Sequence, residues 1–290
     1  MNFGKVENPG EINFTLPPDN LDTKRVLSTQ KHTKKLEVFI GCAKWNKKDL
    51  KNFYPKGTKD ELAYYSSQFN SIELNATFYN SPTKEQVVIW KQKSAENFKF
   101  FPKINQLVSH YRRLDQVKPL VDDFCEAVSL FEEKLGMVFL QMHDKFGIKN
   151  YDRVEKFVKE FPSHVPLAME VRNADWFKEK TDADRYFHLL EENKITNIIV
   201  DTAGRRDMLH MRLTSPTAFI RYVGANHESD YQRLDEWVAR LKKWKEEGLQ
   251  ELYFFVHQNI ELESPLLSAY FIEQLNNELE LDIKIPEKVV

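Results

Sequence analysis

Cysteine is scarce in this 290-residue chain: Cys42 and Cys125 are the whole complement. They lie far apart with no paired spacing, which excludes a zinc site or a dithiol redox motif built from cysteine pairs and fits a reducing cytoplasm. Long apolar runs are missing as well. No stretch approaches the ~18 consecutive apolar residues of a membrane span. Residues 1–7 offer neither a basic lead followed by an apolar run nor a small-residue cleavage site, so the expectation is an unexported, cytoplasmic, membrane-free protein. Neither sign of charge dominates. The formal net charge is -2, so nothing draws the whole chain toward nucleic acid or an anionic surface. No basic stripe with interleaved aromatics suggests single-strand binding, and no nucleic-acid partner is expected. The one short basic run, Lys31-His32-Thr33-Lys34-Lys35, reads as a solvated lead-in.

What is abundant is aromatic. Phe, Tyr and Trp make up 13% of the chain, with 21 Phe and 11 Tyr, interleaved with 30% charged residues. That composition is globular and predicts a core rich in Phe. Residues 1–35 are polar and broken by Pro9-Gly10 and Pro17-Pro18, so they read as an N-terminal extension with no chemistry of its own. Residues 36–280 form the domain and 281–290 a C-terminal tail.

The stretch Leu167-Ala168-Met169-Glu170-Val171-Arg172 organises the rest. As a strand it places Leu167, Met169 and Val171 on one face and Ala168, Glu170 and Arg172 on the other, because side chains alternate along a strand. Similar runs recur at 38–45, 71–79, 98–105, 137–142, 196–201, 218–224 and 251–257. Helical patterns separate them: from Thr58, which with Glu61 has the form of a capping box, then at 84–94, 117–135 with Gly136 as its C-cap, 151–160, 182–193, 231–246 and 265–277. Eight strands alternating with helices predict a single-domain (β/α)8 barrel or a doubly wound sheet. The barrel is preferred, because Gly41-Cys42-Ala43-Lys44-Trp45 lacks the glycine pattern of a dinucleotide-binding turn.

Several short motifs resemble the YecE-like family, a domain of unknown function. They are Ile40-Gly41 with Trp45, Phe53-Tyr54-Pro55, the block from Ile72-Glu73 to Tyr79, Phe100 with Lys103, His110 with Arg113-Leu114, and Lys134-Leu135-Gly136. Gln141, Glu170-Val171-Arg172, Trp176-Phe177, Asp201 and Arg221 extend the match, so that it spans roughly residues 38 to 277. The resemblance implies a (β/α)8 barrel and no established reaction. The chain departs from the family pattern at Ala43-Lys44, at Met142-His143 and at Arg221-Tyr222-Val223-Gly224.

In such a fold Glu73, Asn75, Lys103, Gln141, Glu170, Arg172, Asp201, Arg221 and His257 converge on the C-terminal mouth of the strands, where barrel active sites sit. Each residue alone has a structural reading: Glu170 with Arg172 as an internal ion pair, His257 as a bonded core histidine. Together they are costly to bury for structure alone. Arg172 and Arg221 suit a carboxylate or phosphate. Glu73 or Glu170 suits proton transfer, and Lys103 suits a general acid, an electrophile, a Schiff-base amine or an ion-paired lysine. Asp201 and His257 complete the catalytic set, and Trp45 and His110 join the substrate-binding one. The expected function is acid/base chemistry on a small anionic substrate with no cofactor. One alternative binds Mg2+ or Mn2+ through Glu73, Glu170, Asp201 and His257 as a hydrolase or isomerase. The other is a non-catalytic module that binds a small ligand or a protein. The sequence leaves the oligomeric state open.

Overall fold

A computed structural model describes residues 4–29, 35–50 and 52–287; residues 31–34 of the basic run lie outside them. Eight parallel strands alternate with helices along the described chain. The strands are β1 (Glu37–Cys42), β2 (Ser71–Leu74), β3 (Lys99–Pro102), β4 (Val138–Gln141), β5 (Leu167–Glu170), β6 (Thr196–Asp201), β7 (Thr217–Gly224) and β8 (Glu251–Gln258). The helices are α1 (Leu21–Ser28), α2 (Glu61–Gln68), α3 (Ala76–Tyr79), α4 (Lys84–Lys93), α5 (Lys118–Ser129), α6 (Tyr151–Glu160), α7 (Asp175–Lys178), α8 (Lys180–Glu192), α9 (Ser229–Glu247) and α10 (Ser264–Leu279). Among the described residues no helix is long and apolar enough to cross a membrane.

The closed eight-stranded barrel expected from the alternation does not form. Hydrogen bonding divides the strands into a six-stranded half-barrel, ordered β1-β8-β7-β6-β5-β4, and a separate pair, β2-β3. The physical reason lies at the two seams. Between β1 and β2, side chains take the place of a backbone ladder. Asn70 Oδ1 accepts from Ile40 N at 2.8 Å, its Nδ2 donates to Val38 O at 2.8 Å, and the Tyr65 hydroxyl accepts from Cys42 N at 2.7 Å. Gly41 permits this approach, since a Cβ there would fall 2.1 Å from Ser71 O. Between β3 and β4, among the described residues, two isolated bridges connect the edges, Phe100 with Leu135 and Lys103 with Phe139.

Several local expectations also move. The run at 71–79 leaves extended geometry after Leu74 and turns into α3. Helix α2 is capped by Asp60, whose side chain accepts from Ala63 N, and the Thr58 hydroxyl donates to Pro55 O instead. Helix α5 stops at Ser129, and Gly136 N reaches across to Phe100 O at 2.8 Å.

The predicted wealth of Phe has a clear use. Alternation sends Leu167 and Met169 toward the helices and Ala168 toward the concave face of the sheet, where Phe39, Phe101, Phe139, Phe219, Tyr253 and Phe255 meet as a plug. Their rings touch at 4.8 Å for Phe101 and Phe255 and at 5.6 Å for Phe139 and Phe219, tilted as quadrupoles favour. Residues before β1 lie against α9 and the loop between β6 and β7: Thr23 Oγ1 donates to Met211 O at 2.9 Å, and Arg240 reaches Asp19 at 2.6 Å.

Candidate functional site

One residue further along the same inward rows, toward the C-terminal ends of the strands, the plug gives way to charge. Register aligns Gln141 with Glu170 across β4 and β5, and Val200 with Arg221 across β6 and β7. Glu73 of β2 lies beside Phe101 of β3. All these strands run parallel, so their carboxyl ends share one side, the side on which α/β sheets bind ligands.

Arg221 is the hub. Its Nε and Nη2 form a fork on Glu73, at 2.8 Å each, and its Nη1 donates to Glu170 Oε2 at 2.6 Å and to Gln141 Oε1 at 3.0 Å. Glu170 Oε1 accepts from Arg172 Nε. Glu73 also accepts from Asn75 Nδ2 at 2.8 Å and lies 3.0 Å from His257 Nε2. Lys103 Nζ donates to the same Gln141 oxygen at 3.0 Å and stands 4.2 Å from the centre of the Phe78 ring. Glu73, Gln141 and Glu170 are fully covered, while Lys103, Arg172, Arg221 and His257 keep small exposed edges. Asn75 and His110 are half-buried at the rim.

The titration of these groups follows from burial and neighbours. Burial alone would raise the Glu73 carboxyl, but Arg221 and His257 outweigh it and hold it well below the usual carboxylate range. Glu170 is lowered likewise, with Arg172 and Arg221 prevailing over burial. Arg221 is raised despite its burial, because two carboxylates face it. Lys103 goes the other way. Burial, and then the charges of Arg221 and Arg172, bring it from 10.5 down to about 7. Two glutamates balance two arginines, and a proton on Lys103 adds a positive charge beside those two pairs.

Not every expected residue joins this layer. Asp201 lies on the opposite face of β6. Ile198 and Val200 point into the plug, so alternation turns Asp201 toward the helices, where it is fully buried among Arg206, Arg233 (2.9 Å) and the Trp237 Nε1 donor (2.8 Å). It ties β6 to α9. The four ligands of the alternative metal reading are therefore not brought together, and among the described residues no three His, Cys, Asp or Glu side chains group so as to hold an ion. Trp45 also sits elsewhere, packed edge-on against Trp90 at 5.9 Å and Phe100 at 6.5 Å in the helix-facing layer. Four clefts of 440 to 510 Å3 on the molecule are lined by other residues.

His110 does approach the cluster. It lies in a π-helical turn, Leu107–Tyr111, with its ring 4.9 Å from Phe78 and 5.1 Å from His143. Burial, reinforced by His143, Lys103 and Arg172, lowers it to about 4. π-turns recur at functional sites, and the segment that follows holds Arg113, Leu114 and Gln116 at positive φ, strain that ordinary loops avoid. His143, whose Nδ1 is 2.6 Å from Asp144, was visible in the sequence only as a departure from the family pattern. Thr77 falls in the run 71–79 that the sequence pattern reads as a strand. Its hydroxyl donates to Leu74 O at 2.8 Å or to Lys103 O at 2.7 Å, pinning the backbone that presents Lys103.

A model of the family described as a protein of unknown function, DUF72, matches residues 39–288. The chain belongs to the DUF72 family. It is 24% identical over 264 residues to the UPF0759 protein YecE of Escherichia coli K12, covering 83% of this chain and 94% of YecE. It is 29% identical over 149 residues to the UPF0759 protein YunF of Bacillus subtilis 168, covering 48% and 52% of the two chains. The family expected from the motifs is thus the family found. A crystal structure of a DUF72 family protein from Enterococcus faecalis V583 superposes with a TM-score of 0.67 at 19% identity, over 86% of this chain and all of that one. At that identity the likeness concerns fold alone.

Proposed function

We propose that this DUF72 protein is an enzyme that transfers protons on a small anionic substrate, carboxylated or phosphorylated, at the layer formed by Glu73, Lys103, Gln141, Glu170, Arg172, Arg221 and His257. The observation that carries the reading is the charge balance around Lys103. Two buried arginines offset two buried glutamates, and Lys103, a further ionisable group beside them, is pushed to about 7. An anion arriving at the rim supplies the missing negative charge, and Lys103 takes up a proton as it binds. A lysine poised near neutrality is suited to moving a proton during turnover. Burying so many charges for stability alone is a poor alternative, since apolar side chains of the same volume are often as stabilising.

The test is calorimetry with oxalate or inorganic phosphate at pH 8 in buffers of different ionisation enthalpy. Binding should be accompanied by uptake of close to one proton, and both should weaken sharply in Lys103→Met. Carbon-bound hydrogens of a panel of small carboxylates and sugar phosphates should then exchange with D2O in wild type and not in Glu170→Gln. Absence of anion binding, or binding that takes up no proton and ignores the Lys103 substitution, would refute the reading.

A further inference from the structure

We propose that the Lys103 amine is a nucleophile that forms an imine with the carbonyl carbon of a small oxo acid. The proposal rests on the anion-binding reading above and goes beyond it in naming a covalent step and a substrate class.

The first observation is the company Lys103 keeps. Both carboxylates of the layer are taken: Glu73 by the Arg221 fork, and Glu170 by Arg221 and Arg172. Lys103 makes no ion pair with either, and among the described residues its hydrogen-bond partner is a single amide oxygen, Gln141 Oε1. Among the described residues the other buried lysine is built quite differently. Lys134 donates to Lys91 O, Ser94 O and Ser94 Oγ, at 2.8, 2.8 and 3.1 Å, which uses all three hydrogens of an ammonium. Lys134 has three acceptors for the hydrogens of an ammonium; Lys103 has one. An ion-paired structural lysine is therefore not what the layer contains.

The second observation is position. The amine stands just past the end of β3, on the side where ligands reach the carboxyl ends of the strands. The centre of the Phe78 ring is 4.2 Å away and that of Phe139 5.9 Å away, so aromatic faces border it. The titratable groups around it are Arg221, Arg172, Glu73 and Glu170 within the layer and His110 at the rim. Two guanidinium groups beside an amine favour a substrate that carries its own carboxylate next to the carbonyl.

The chemistry balances without a further reagent. The nitrogen lone pair forms a bond to the carbonyl carbon while the carbonyl π pair moves to oxygen. The two hydrogens of the amine then leave with that oxygen as one molecule of water, and the C–O bond is replaced by C=N. The carbon skeleton is neither oxidised nor reduced.

Glyoxylate, a two-carbon aldehyde acid, is the probe. Full-length protein is incubated with it at pH 7, reduced with cyanoborohydride and mapped by peptide mass spectrometry. At pH 7 about half of Lys103 is free amine, against roughly one in three thousand for an ordinary lysine. One carboxymethyl group should therefore appear on Lys103 at more than about tenfold the level of any surface lysine, with labelling half-maximal near pH 7, and excess oxalate should suppress it. Calorimetry with oxalate on the same sample separates the two claims. Oxalate binding with proton uptake but no adduct on Lys103, or adducts spread evenly over surface lysines, overturns the imine and leaves the acid/base reading standing. Loss of both overturns both.

Discussion

Replacing Lys103 by Met should stabilise the protein at neutral pH and cease to do so in alkali. Lys103 titrates at about 7 in the fold against 10.5 in a free chain. Between these values the unfolded chain holds a proton that the folded chain has released, so stability rises with pH across that window and the cost of burying the amine is full below pH 7. The gap of about 3.5, at 1.36 kcal/mol per unit, makes that full cost about 5 kcal/mol. From pH 7, where the folded lysine is half-protonated, to pH 9, the relief is about 2 kcal/mol. Met fills nearly the same volume and cannot titrate, and Gln141 Oε1 keeps its bond from Arg221, so no acceptor is stranded. The assay is urea denaturation of both proteins at pH 7 and pH 9, reading the wild-type gain minus the mutant gain. A difference of about 2 kcal/mol in favour of wild type is expected. A difference of zero, or one of opposite sign, would mean that Lys103 keeps its proton through pH 9, and the argument for a neutral amine would fall.

On the acid side stability again rises with pH, but here the groups contribute a gain and not a cost. Glu73 and Glu170 titrate below the ordinary 4.5, so their contribution is present above that value and lost as pH falls toward their folded ones. The stability gap between wild type and Glu170→Gln, followed by denaturant midpoints, should narrow below pH 4.5. Asp201→Asn strips the buried Arg233 of one of its two carboxylates, leaving it Asp230 at 3.0 Å. The cost should be about 3 kcal/mol in denaturation, with glyoxylate labelling of Lys103 unchanged; a fall in labelling would put Asp201 in the site. In Gly41→Ala the new Cβ would meet Ser71 O, so β1 and β2 must separate. A loss of about 1–3 kcal/mol is expected by thermal denaturation, and an unchanged melting temperature would contradict the tight seam.

What the amino-acid sequence determined by itself is local and periodic. Alternation in Leu167–Glu170 decided that Glu170 points away from Met169, and a run rich in Phe decided that the interior would be aromatic. The motifs around Glu73 and Arg221 were enough to identify the DUF72 relationship. In Thr196–Asp201 the same alternation gave no answer. Ile198, Ile199 and Val200 are apolar on both faces, and only pairing with Phe219 and Arg221 of β7 decided that Asp201 turns to the helices. Closure of the sheet was equally illegible, because it depended on Asn70 and Tyr65 inserting between strands that sequence pattern alone would pair. The contrast between Lys103 and Lys134 was likewise tertiary. A lysine's charge state depends on how many acceptors and cations surround its nitrogen, and those neighbours come from segments distant in the chain.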